Sequence, residues 1–307
     1  MLKYIAFLAG VHIFSRLPIA IGYRLGEWVA DIAFLLHRPL RRAVADNMRH
    51  VLGPEAARGL VRRMAREVFR NAARYYVDMV RLPRIKPQEL LERRITIHGY
   101  EHLEGALAQG RGVIIASAHF GNPEMAVQVA LAKGIPVTVL TEPLKPPIIS
   151  RLLDGLRSCH GQDFLPVSRA SIKKALGVIR GGGVIALACD RDVQGRSIPV
   201  PFFGAPALMP TGILELAMRT GAAVIPVFSC RRPKGRYEIF IEPPLALVNM
   251  GRSHEDLRAG VTALLSCLEG YVRREPGQWT VMEQVWDRFV GEAPRPVESP
   301  SGGPVEP

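Results

Sequence analysis

Short apolar segments alternate with amphipathic ones between Ile95 and Arg274, and this alternation constrains the fold more than any other feature of the chain. Short runs of apolar and β-branched residues predict strands. The predicted strands are Ile95–His98, Val113–Ser117, Pro136–Thr141, Phe164–Val167, Val184–Cys189, Ala223–Cys230 and Tyr237–Glu242. Repeated strand–helix units are typical of a parallel sheet with helices on its faces. The sequence therefore predicts an α/β fold with a mostly parallel central sheet flanked by helices.

The helices predicted for this region mostly end at a glycine, the residue that most readily adopts the left-handed conformation of a helix C-cap. They are Glu101–Gln109, Pro123–Ala132, Ile148–Cys159, Ser171–Arg180, Thr211–Thr220 and Glu255–Arg274. The strand pair after Gly221 predicts an antiparallel edge of the sheet. We assign residues 95–290 to this α/β domain, and we expect the Pro/Gly/Ser-rich residues 291–307 to be disordered.

The first 37 residues are apolar-rich, but Arg16, Arg24, Glu27 and Asp31 interrupt them, so no uncharged stretch reaches the ~20 residues of a membrane-spanning helix. Shorter helices broken near Pro18, with aromatic side chains beside arginines, are typical of segments that lie in the membrane interface. We predict that residues 1–37 form apolar, amphipathic, membrane-associating helices. A helical hairpin buried in the domain is the alternative.

Residues 38–94 are predicted to form a basic helical segment. The chain carries 40 Lys and Arg against 28 Asp and Glu, a net charge of +12, and such an excess favours anionic partners. Arginines recur every four residues along the helix predicted for residues 53–76, and side chains at this spacing repel one another. We predict that this stripe contacts anionic membrane lipids, a solvated helix face being the alternative. The stripe consists of Arg58, Arg62, Arg66, Arg70 and Arg74.

The segment AHFGNPE, residues 118–124, joins a predicted strand to a predicted helix. Asn122 followed by Pro123 is typical of a helix start, so His119 is expected at the carboxyl end of a strand, where open α/β sheets bind ligands. Glu124 in the first helical turn is placed to orient the imidazole, which makes His119 a candidate general base for a hydroxyl. Main-chain N–H groups of the turn are candidates for stabilising an oxyanion. An ordinary polar turn is the alternative.

Other catalytic signatures are missing from the sequence, including a G-x-S-x-G nucleophile elbow and the glycine-rich phosphate loops. His98, Glu101 and His102 fit the H-x-x-E-H pattern of some zinc proteases. However, His98 ends a predicted strand and Gly99 disfavours helix, so the two rings are expected to diverge. The four cysteines form no CxxC pair and indicate buried thiols in a reducing compartment. We therefore predict no metal site.

AHFGNPE resembles the H-x-x-x-x-[DE] motif of the glycerolipid acyltransferase superfamily. More specifically, it is similar to the lipid A biosynthesis acyltransferases and the mycobacterial phosphatidylinositol mannoside acyltransferases. Three later segments strengthen the resemblance, namely ALACDRDVQG (186–195), VPFFGAPALMPTGILELAMRTGA (200–222) and VIPVF (224–228). The similarity runs roughly from Tyr4 to Arg288. One departure is Pro123, where the lipid A enzymes usually have tryptophan.

The resemblance implies a membrane-associated acyltransferase at the cytoplasmic face of a bacterial inner membrane. It would move a fatty acyl chain from acyl-CoA or acyl-carrier-protein to a hydroxyl of a glycolipid or phospholipid. By this analogy His119 is the base, and Glu124, Asp190 and Asp192 remain open as the carboxylate that orients it. Arg169 matches the position of a phosphate-binding arginine in the superfamily. Further candidates for substrate binding are Asn122, Glu142, Arg157 and Arg191.

Acyl transfer also needs an apolar groove, and Val200–Phe203 with Leu208 and Met209 are candidates for its wall, a core segment being the alternative. The reaction requires no metal or redox cofactor. A hypothesis of another class is a non-catalytic protein that binds anionic lipid or nucleic acid. Nucleic acid is disfavoured as a partner because no recognition motif or aromatic-basic interleaving occurs. The oligomeric state and the acceptor are not defined by the sequence.

Overall fold

A computed structural model describes residues 14–144, 146–192, 195–247 and 253–286, so the expectations for residues 1–13 and for the tail 291–307 lie outside the described residues. The helices are α1 (Ile19–Leu36), α2 (Arg38–Leu52), α3 (Arg58–Arg81), α4 (Pro87–Arg94), α5 (Tyr100–Ala108), α6 (Pro123–Ala132), α7 (Pro147–Arg157), α8 (Arg169–Arg180), α9 (Gly212–Thr220) and α10 (His254–Arg274). The strands are β1 (Ile95–His98), β2 (Val113–Ser117), β3 (Val137–Thr141), β4 (Asp163–Pro166), β5 (Val184–Ala188), β6 (Ser197–Phe202), β7 (Ala205–Pro210), β8 (Ala223–Arg232) and β9 (Arg236–Ile241).

Seven strands form the central sheet in the order β1-β9-β8-β2-β5-β3-β4. All neighbours are parallel except β8 and β9, so the predicted α/β class with a mostly parallel sheet flanked by helices is confirmed. The predicted antiparallel edge is wrong in one respect. β1 adds to β9 in parallel, with Ile95 opposite Tyr237, so the reversal lies one strand inside the sheet. Strand patterning reveals which segments are strands but not which strand closes the edge.

The central strands are buried on both faces because alternate side chains point to opposite sides of a sheet. On one face Ile114, Ile185 and Val224 belong to a large core that includes residues of α8, α9 and α10. On the other face Val184 and Ile225 pack with residues of α5 and α6. This second layer is where space remains for a ligand.

β6 and β7 form a separate antiparallel hairpin, which sequence patterning did not reveal. Val200, Phe202 and Met209 are buried in the large core. The expectation that segments 200–203 and 208–209 wall a groove is therefore wrong, because the inward face of the hairpin packs against the domain. None of these residues is among those that line the cavity beside His119.

Small residues allow α1 to pack closely on α3. Gly22, Gly26 and Ala30 recur every four residues on the buried face of α1. A Cβ atom at Gly22 would lie 3.1 Å from Cγ1 of Val77, and one at Gly26 would lie 3.2 Å from its Cγ2. Both distances are tight for carbon atoms, so larger side chains would force the helices apart.

Ion pairs with α1 neutralise much of the arginine stripe of α3. Arg66 and Arg70 each donate two hydrogen bonds to Asp31, at 2.6 to 2.9 Å. Arg74 pairs with Glu27 at 2.6 Å. Sequence spacing could not reveal these carboxylates of α1, and the contact of the stripe with anionic lipid stays a prediction. The stripe members that remain exposed without these acidic partners are Arg58 and Arg62.

The outer face of α1 is apolar and exposed. Trp28, Val29 and Ile32 are 71%, 62% and 56% exposed, and Leu35 and Leu36 continue the patch. Exposed apolar patches of this kind mark interaction surfaces. Across the part of the chain that the structure describes, no helix has both the length and the apolar composition needed to cross a bilayer.

Replacing Gly26 by leucine should destabilise the protein by about 1–3 kcal/mol, because the new side chain meets Val77. Gly177→Leu is the matched control, since Gly177 is also helical but a Cβ there meets nothing within 4 Å. The control should be neutral or stabilising, because leucine favours helix over glycine. Chemical denaturation measures both, and equal losses would contradict the close packing of α1 on α3.

The contribution of Asp31 should depend on pH. Hydrogen bonds from Arg66 and Arg70 hold the pKa of Asp31 well below its ordinary value. Its stabilising effect is therefore complete above the unfolded-state pKa of about 3.9 and is lost as the pH falls below that value. Asp31→Asn should lower the unfolding midpoint at pH 7, and its difference from wild type should shrink below about pH 4.

Asp163→Asn provides the control for this measurement. Asp163 pairs with Lys174 at 2.8 Å, but both side chains are 51% exposed. Exposed pairs contribute little, so this variant should differ from wild type by about 0–1 kcal/mol at either pH. A loss for Asp31→Asn that does not change with pH would contradict the assignment.

Candidate active site

The carboxyl ends of β2 and β5 bring His119 and Asp190 together. The register of these parallel strands places Ser117 opposite Ala188, so both site residues lie two positions beyond a matched pair. Nδ1 of His119 lies 2.9 Å from Oδ1 of Asp190, and the main-chain N–H of His119 donates to Oδ2 at 2.8 Å. Of the three carboxylates that the sequence left open, Asp190 is the one that contacts the ring.

The surroundings of the His119–Asp190 pair indicate which imidazole nitrogen faces the carboxylate with its proton. The side chain of Asp190 is fully buried, whereas that of His119 is 37% exposed. Burial by itself raises the pKa of Asp190, but His119 and its hydrogen bonds hold this pKa below its ordinary value. An ionised carboxylate only accepts hydrogen bonds, so Nδ1 of His119 carries the proton of this contact, and Nε2 is the ring nitrogen left for another partner. The ring is therefore held in the orientation that a general base requires.

Glu124 has other partners, which corrects the predicted contact with His119. Its Oε1 accepts hydrogen bonds from the hydroxyl of Tyr75 and from Nε of Arg157, the latter at 2.9 Å. Nη2 of Arg157 also donates to the Tyr75 oxygen at 2.9 Å. Burial and the charge of Glu124 raise the pKa of Tyr75 well above its ordinary value, so the hydroxyl keeps its proton. Glu124 thus ties α6 to α3 and α7.

Asn122 occupies the N-cap position of α6, but its side chain does not cap the helix. Its Nδ2 donates to Oδ2 of Asp78 at 2.9 Å, and Asn122 is 1% exposed. Asp78 also accepts hydrogen bonds from Tyr23 at 2.6 Å and Tyr237 at 2.8 Å, and it forms an ion pair with Arg231 at 2.7 Å. We call these five residues the Asp78 cluster. The substrate-binding role expected of Asn122 is corrected, because it anchors the turn and does not line the cavity.

Main-chain hydrogen bonds fasten the turn between β2 and α6. Gly121 donates to the carbonyl of Gln278 at 2.9 Å, and Asn122 donates to that of Ser229 at 3.1 Å. Gly121 has a φ of +61°, and a Cβ atom there would lie 1.7 Å from the Ser229 oxygen, so only glycine fits. The amides of Gly121, Asn122 and His119 are all occupied. The expectation that they stabilise an oxyanion is therefore wrong for these three groups.

A cavity of about 570 Å³ lies beside His119. Its floor is the face of the sheet that packs against α5 and α6. The apolar side chains of the floor are Ile115, Val137, Val139, Ala186, Val227, Ile239 and Ile241, and those of the cover include Leu103, Val127, Val129 and Ala130. Five adjacent strands about 4.8 Å apart give this floor a width of roughly 19 Å. The volume is in the range of small-molecule sites.

Polar residues line the same cavity. Arg191 forms ion pairs with Glu142 at 2.8 Å and with Glu283 at 2.9 Å. Glu142, Arg191 and Asp192 are lining residues together with His119, and so are Arg157 and Glu124. The structure therefore brings these predicted residues to one site. The side-chain Oδ1 of Asp192 accepts a hydrogen bond from the main-chain N–H of Gly195 at 2.8 Å.

Arg169 is a predicted site residue that the structure places elsewhere. It is the first residue of α8, follows the capping box of Ser168 with Ser171, and is exposed. It is not among the residues that line the cavity. The phosphate-binding role that the resemblance implies for Arg169 stays a prediction, and the start of α8 leaves its side chain exposed.

Sequence reasoning missed Trp279 and Tyr75. Nε1 of the fully buried Trp279 donates to Oδ2 of Asp190 at 3.0 Å. Nothing in the spacing connects residues 190 and 279, so no sequence signal pointed to this contact. Tyr75 lies on the apolar side of its helix, where packing is the ordinary interpretation.

Within the described residues, no group of three or more His, Cys, Asp and Glu side chains is arranged to hold a metal ion. The two histidines of the H-x-x-E-H pattern have separate environments. His98 stacks on Phe240 with ring centroids 4.6 Å apart, and Nδ1 of His102 lies 2.9 Å from the carbonyl of Ile241.

Comparisons with known proteins agree with the sequence resemblance. Phosphatidylinositol mannoside acyltransferase of Mycobacterium tuberculosis is 29% identical over 228 residues, which cover 72% of this chain and 70% of that protein. Lipid A biosynthesis lauroyltransferase of Escherichia coli is 26% identical over 233 residues, which cover 75% and 74%. Lipid A biosynthesis acyltransferase of Haemophilus influenzae is 26% identical over 211 residues, which cover 68% and 64%. The family described as bacterial lipid A biosynthesis acyltransferase matches residues 1–288. The predicted resemblance is thereby confirmed, and the chain belongs to the bacterial lipid A biosynthesis acyltransferase family.

Proposed function

We propose that this acyltransferase moves a fatty acyl chain from a thioester to a hydroxyl of a glycolipid, with His119 as the general base. The observation that carries the proposal is the ring of His119, held through Nδ1 by the buried Asp190 at the side of a largely apolar cavity. A non-catalytic lipid-binding protein would have no need of an oriented imidazole next to an acyl-sized cavity.

In the proposed reaction, His119 carries out both proton transfers. Nε2 of His119 takes the proton of the acceptor hydroxyl while the oxygen attacks the thioester carbonyl, forming the C–O bond. The C–S bond then breaks, and the leaving thiolate takes the proton from the imidazolium. Asp190 stays ionised and stabilises the charged ring, as the carboxylate does in serine-protease triads. Because a thioester is already activated, the reaction needs no metal ion or redox cofactor.

The apolar part of the cavity is proposed to hold the acyl chain of the donor, acyl-CoA or acyl-carrier-protein. Most side chains of its floor and cover are hydrocarbon over five strands, which suits a fatty chain. Glu142, Arg157, Arg191 and Asp192 are proposed to contact the polar parts of the substrates, because all of them line this cavity. The acceptor is proposed to be a glycolipid because named relatives act in lipid A biosynthesis or on phosphatidylinositol mannoside.

The protein is proposed to work at the cytoplasmic face of a bacterial inner membrane, with the outer face of α1 in the lipid interface. α3 connects this face to the site, since its Val77 packs on α1 while its Tyr75 and Tyr76 line the cavity. Trp28 and its apolar neighbours would enter the interface, and exposed arginines such as Arg62 would lie near anionic headgroups.

The first test concerns the His119–Asp190 pair. Vesicles with the glycolipid acceptor and a labelled acyl thioester report both thiol release and labelled lipid. His119→Ala should lower kcat by about 10²–10⁴-fold, the usual contribution of a general base. Asp190→Asn should lower it at least roughly tenfold, because the ring loses its charged partner.

His98→Ala is the control for this assay. His98 also ends a parallel strand, but it stacks on Phe240 and is not a lining residue of the cavity. We expect it to behave as wild type. Wild-type turnover by His119→Ala would reject the proposed mechanism, and the absence of any transfer by the wild-type chain would favour the non-catalytic alternative.

The second test concerns membrane association. Trp28→Glu with Ile32→Glu should weaken sedimentation with anionic vesicles more than tenfold at both low and high salt, because each apolar side chain removed from water contributes about 1.5–3 kcal/mol. Arg62→Glu should weaken binding mainly at low salt, since salt screens exposed charges.

Ile148→Glu is the matched control for the apolar change, because Ile148 is 40% exposed on α7 and lies outside the α1 face. It should leave binding near the wild-type value. Undiminished binding of the Trp28/Ile32 double variant would contradict the role of α1.

A further inference from the structure

The carboxylate of Asp190 is held by more than the ring of His119. Oδ1 lies 2.9 Å from Nδ1 of His119, while Oδ2 accepts from the main-chain N–H of His119 at 2.8 Å and from Nε1 of Trp279 at 3.0 Å. Asp190 and Trp279 are 1% and 0% exposed. Water is therefore not available to replace the indole N–H, and an interior hydrogen bond to a charged group is strong.

Residues 278–280 also fasten the main chain of the catalytic turn. Thr280 donates to the carbonyl of His119 through its main-chain N–H at 2.7 Å and through its hydroxyl at 3.1 Å. The carbonyl of Gln278 accepts from Gly121 at 2.9 Å. One short segment after α10, which we call the C-terminal strap, thus holds His119 by its main chain and Asp190 by its carboxylate.

We propose that Trp279 is a positioning residue for the His119–Asp190 pair. The indole N–H fixes Oδ2, so that rotation of the carboxylate about its Cβ–Cγ bond is opposed and Oδ1 stays in line with Nδ1 of His119. Trp279 is not among the lining residues of the cavity, so it acts through Asp190 rather than on substrate. The inference rests on the proposed function, because orienting the ring matters for turnover only if His119 is the base.

Trp279→Phe tests the role, with Trp286→Phe as a matched control. Trp286 is also buried, belongs to the same aromatic cluster around Phe202, and donates its Nε1 to the Phe202 carbonyl at 3.2 Å. Both variants lose one buried indole hydrogen bond and similar volume, so their unfolding midpoints should fall by similar amounts. Trp279→Phe should lower kcat roughly tenfold with KM unchanged, whereas Trp286→Phe should stay within about twofold of wild type. Equal losses of kcat in the two variants would overturn the proposal.

A double-mutant cycle separates positioning from a general structural effect. If Trp279 acts through Asp190, adding Trp279→Phe to Asp190→Asn should cause little further loss of kcat. A further loss as large as that of Trp279→Phe alone would overturn the proposal. If Asp190→Asn itself retains wild-type kcat, the proposed mechanism is what fails.

Indole N–H resonances give a readout that does not depend on activity. The chain has three tryptophans, so ¹H–¹⁵N spectra of the wild type and of the two phenylalanine variants assign the Trp279 signal directly. Asp190→Asn should shift this signal upfield, because a charged acceptor is replaced by a neutral one. An unmoved Trp279 signal would show that the indole does not bond to Asp190 and would overturn the positioning role, whatever the activity of His119→Ala.

Discussion

A buried ion pair between Asp78 and Arg231 holds the structure together at the point where its parts meet. The Asp78 cluster joins α1 through Tyr23, α3 through Asp78, the start of α6 through Asn122, and the sheet through Arg231 and Tyr237. A buried charge is tolerated only when it is paired and hydrogen-bonded. Removing one partner leaves the other as an unpaired buried charge, which strongly destabilises the fold. The Asp78 cluster therefore couples the packing of α1 and α3, the sheet and the turn that carries His119.

The two defining residues of the H-x-x-x-x-E motif, His119 and Glu124, have different partners on two sides of the same turn. His119 faces β5 and is oriented by Asp190. Glu124, in the first turn of α6, contacts Arg157 and Tyr75 at the cavity wall. The geometry of the first contact follows from strand register, which is among the most rigid features of a fold. Glu124 therefore supports the wall of the proposed acyl site, whereas Asp190 orients the ring of His119.

Local sequence patterns predicted the secondary structure and the position of His119, but not the contacts between residues far apart in the sequence. Strands rich in valine and isoleucine, and a turn with Asn122 before Pro123, placed His119 correctly at the carboxyl end of β2 because these signals act over a few residues. The sequence left three carboxylates as candidates for the partner of the His119 ring, because the sequence of one strand does not determine its register with another. Trp279 and the acidic partners of the arginine stripe were missed for the same reason. Arg169 was placed by analogy, and the start of α8 directs it to the surface.

The C-terminal strap lies late in the chain, after every strand of the sheet. The last strand of the sheet ends at Ile241, whereas Gln278 and Thr280 follow the whole of α10. During synthesis the amino-terminal part of a chain emerges and folds first. A nascent chain can therefore complete its sheet, and with it the strand ends that bring Asp190 to His119, before Gln278 and Thr280 are available to fasten the main chain of the turn.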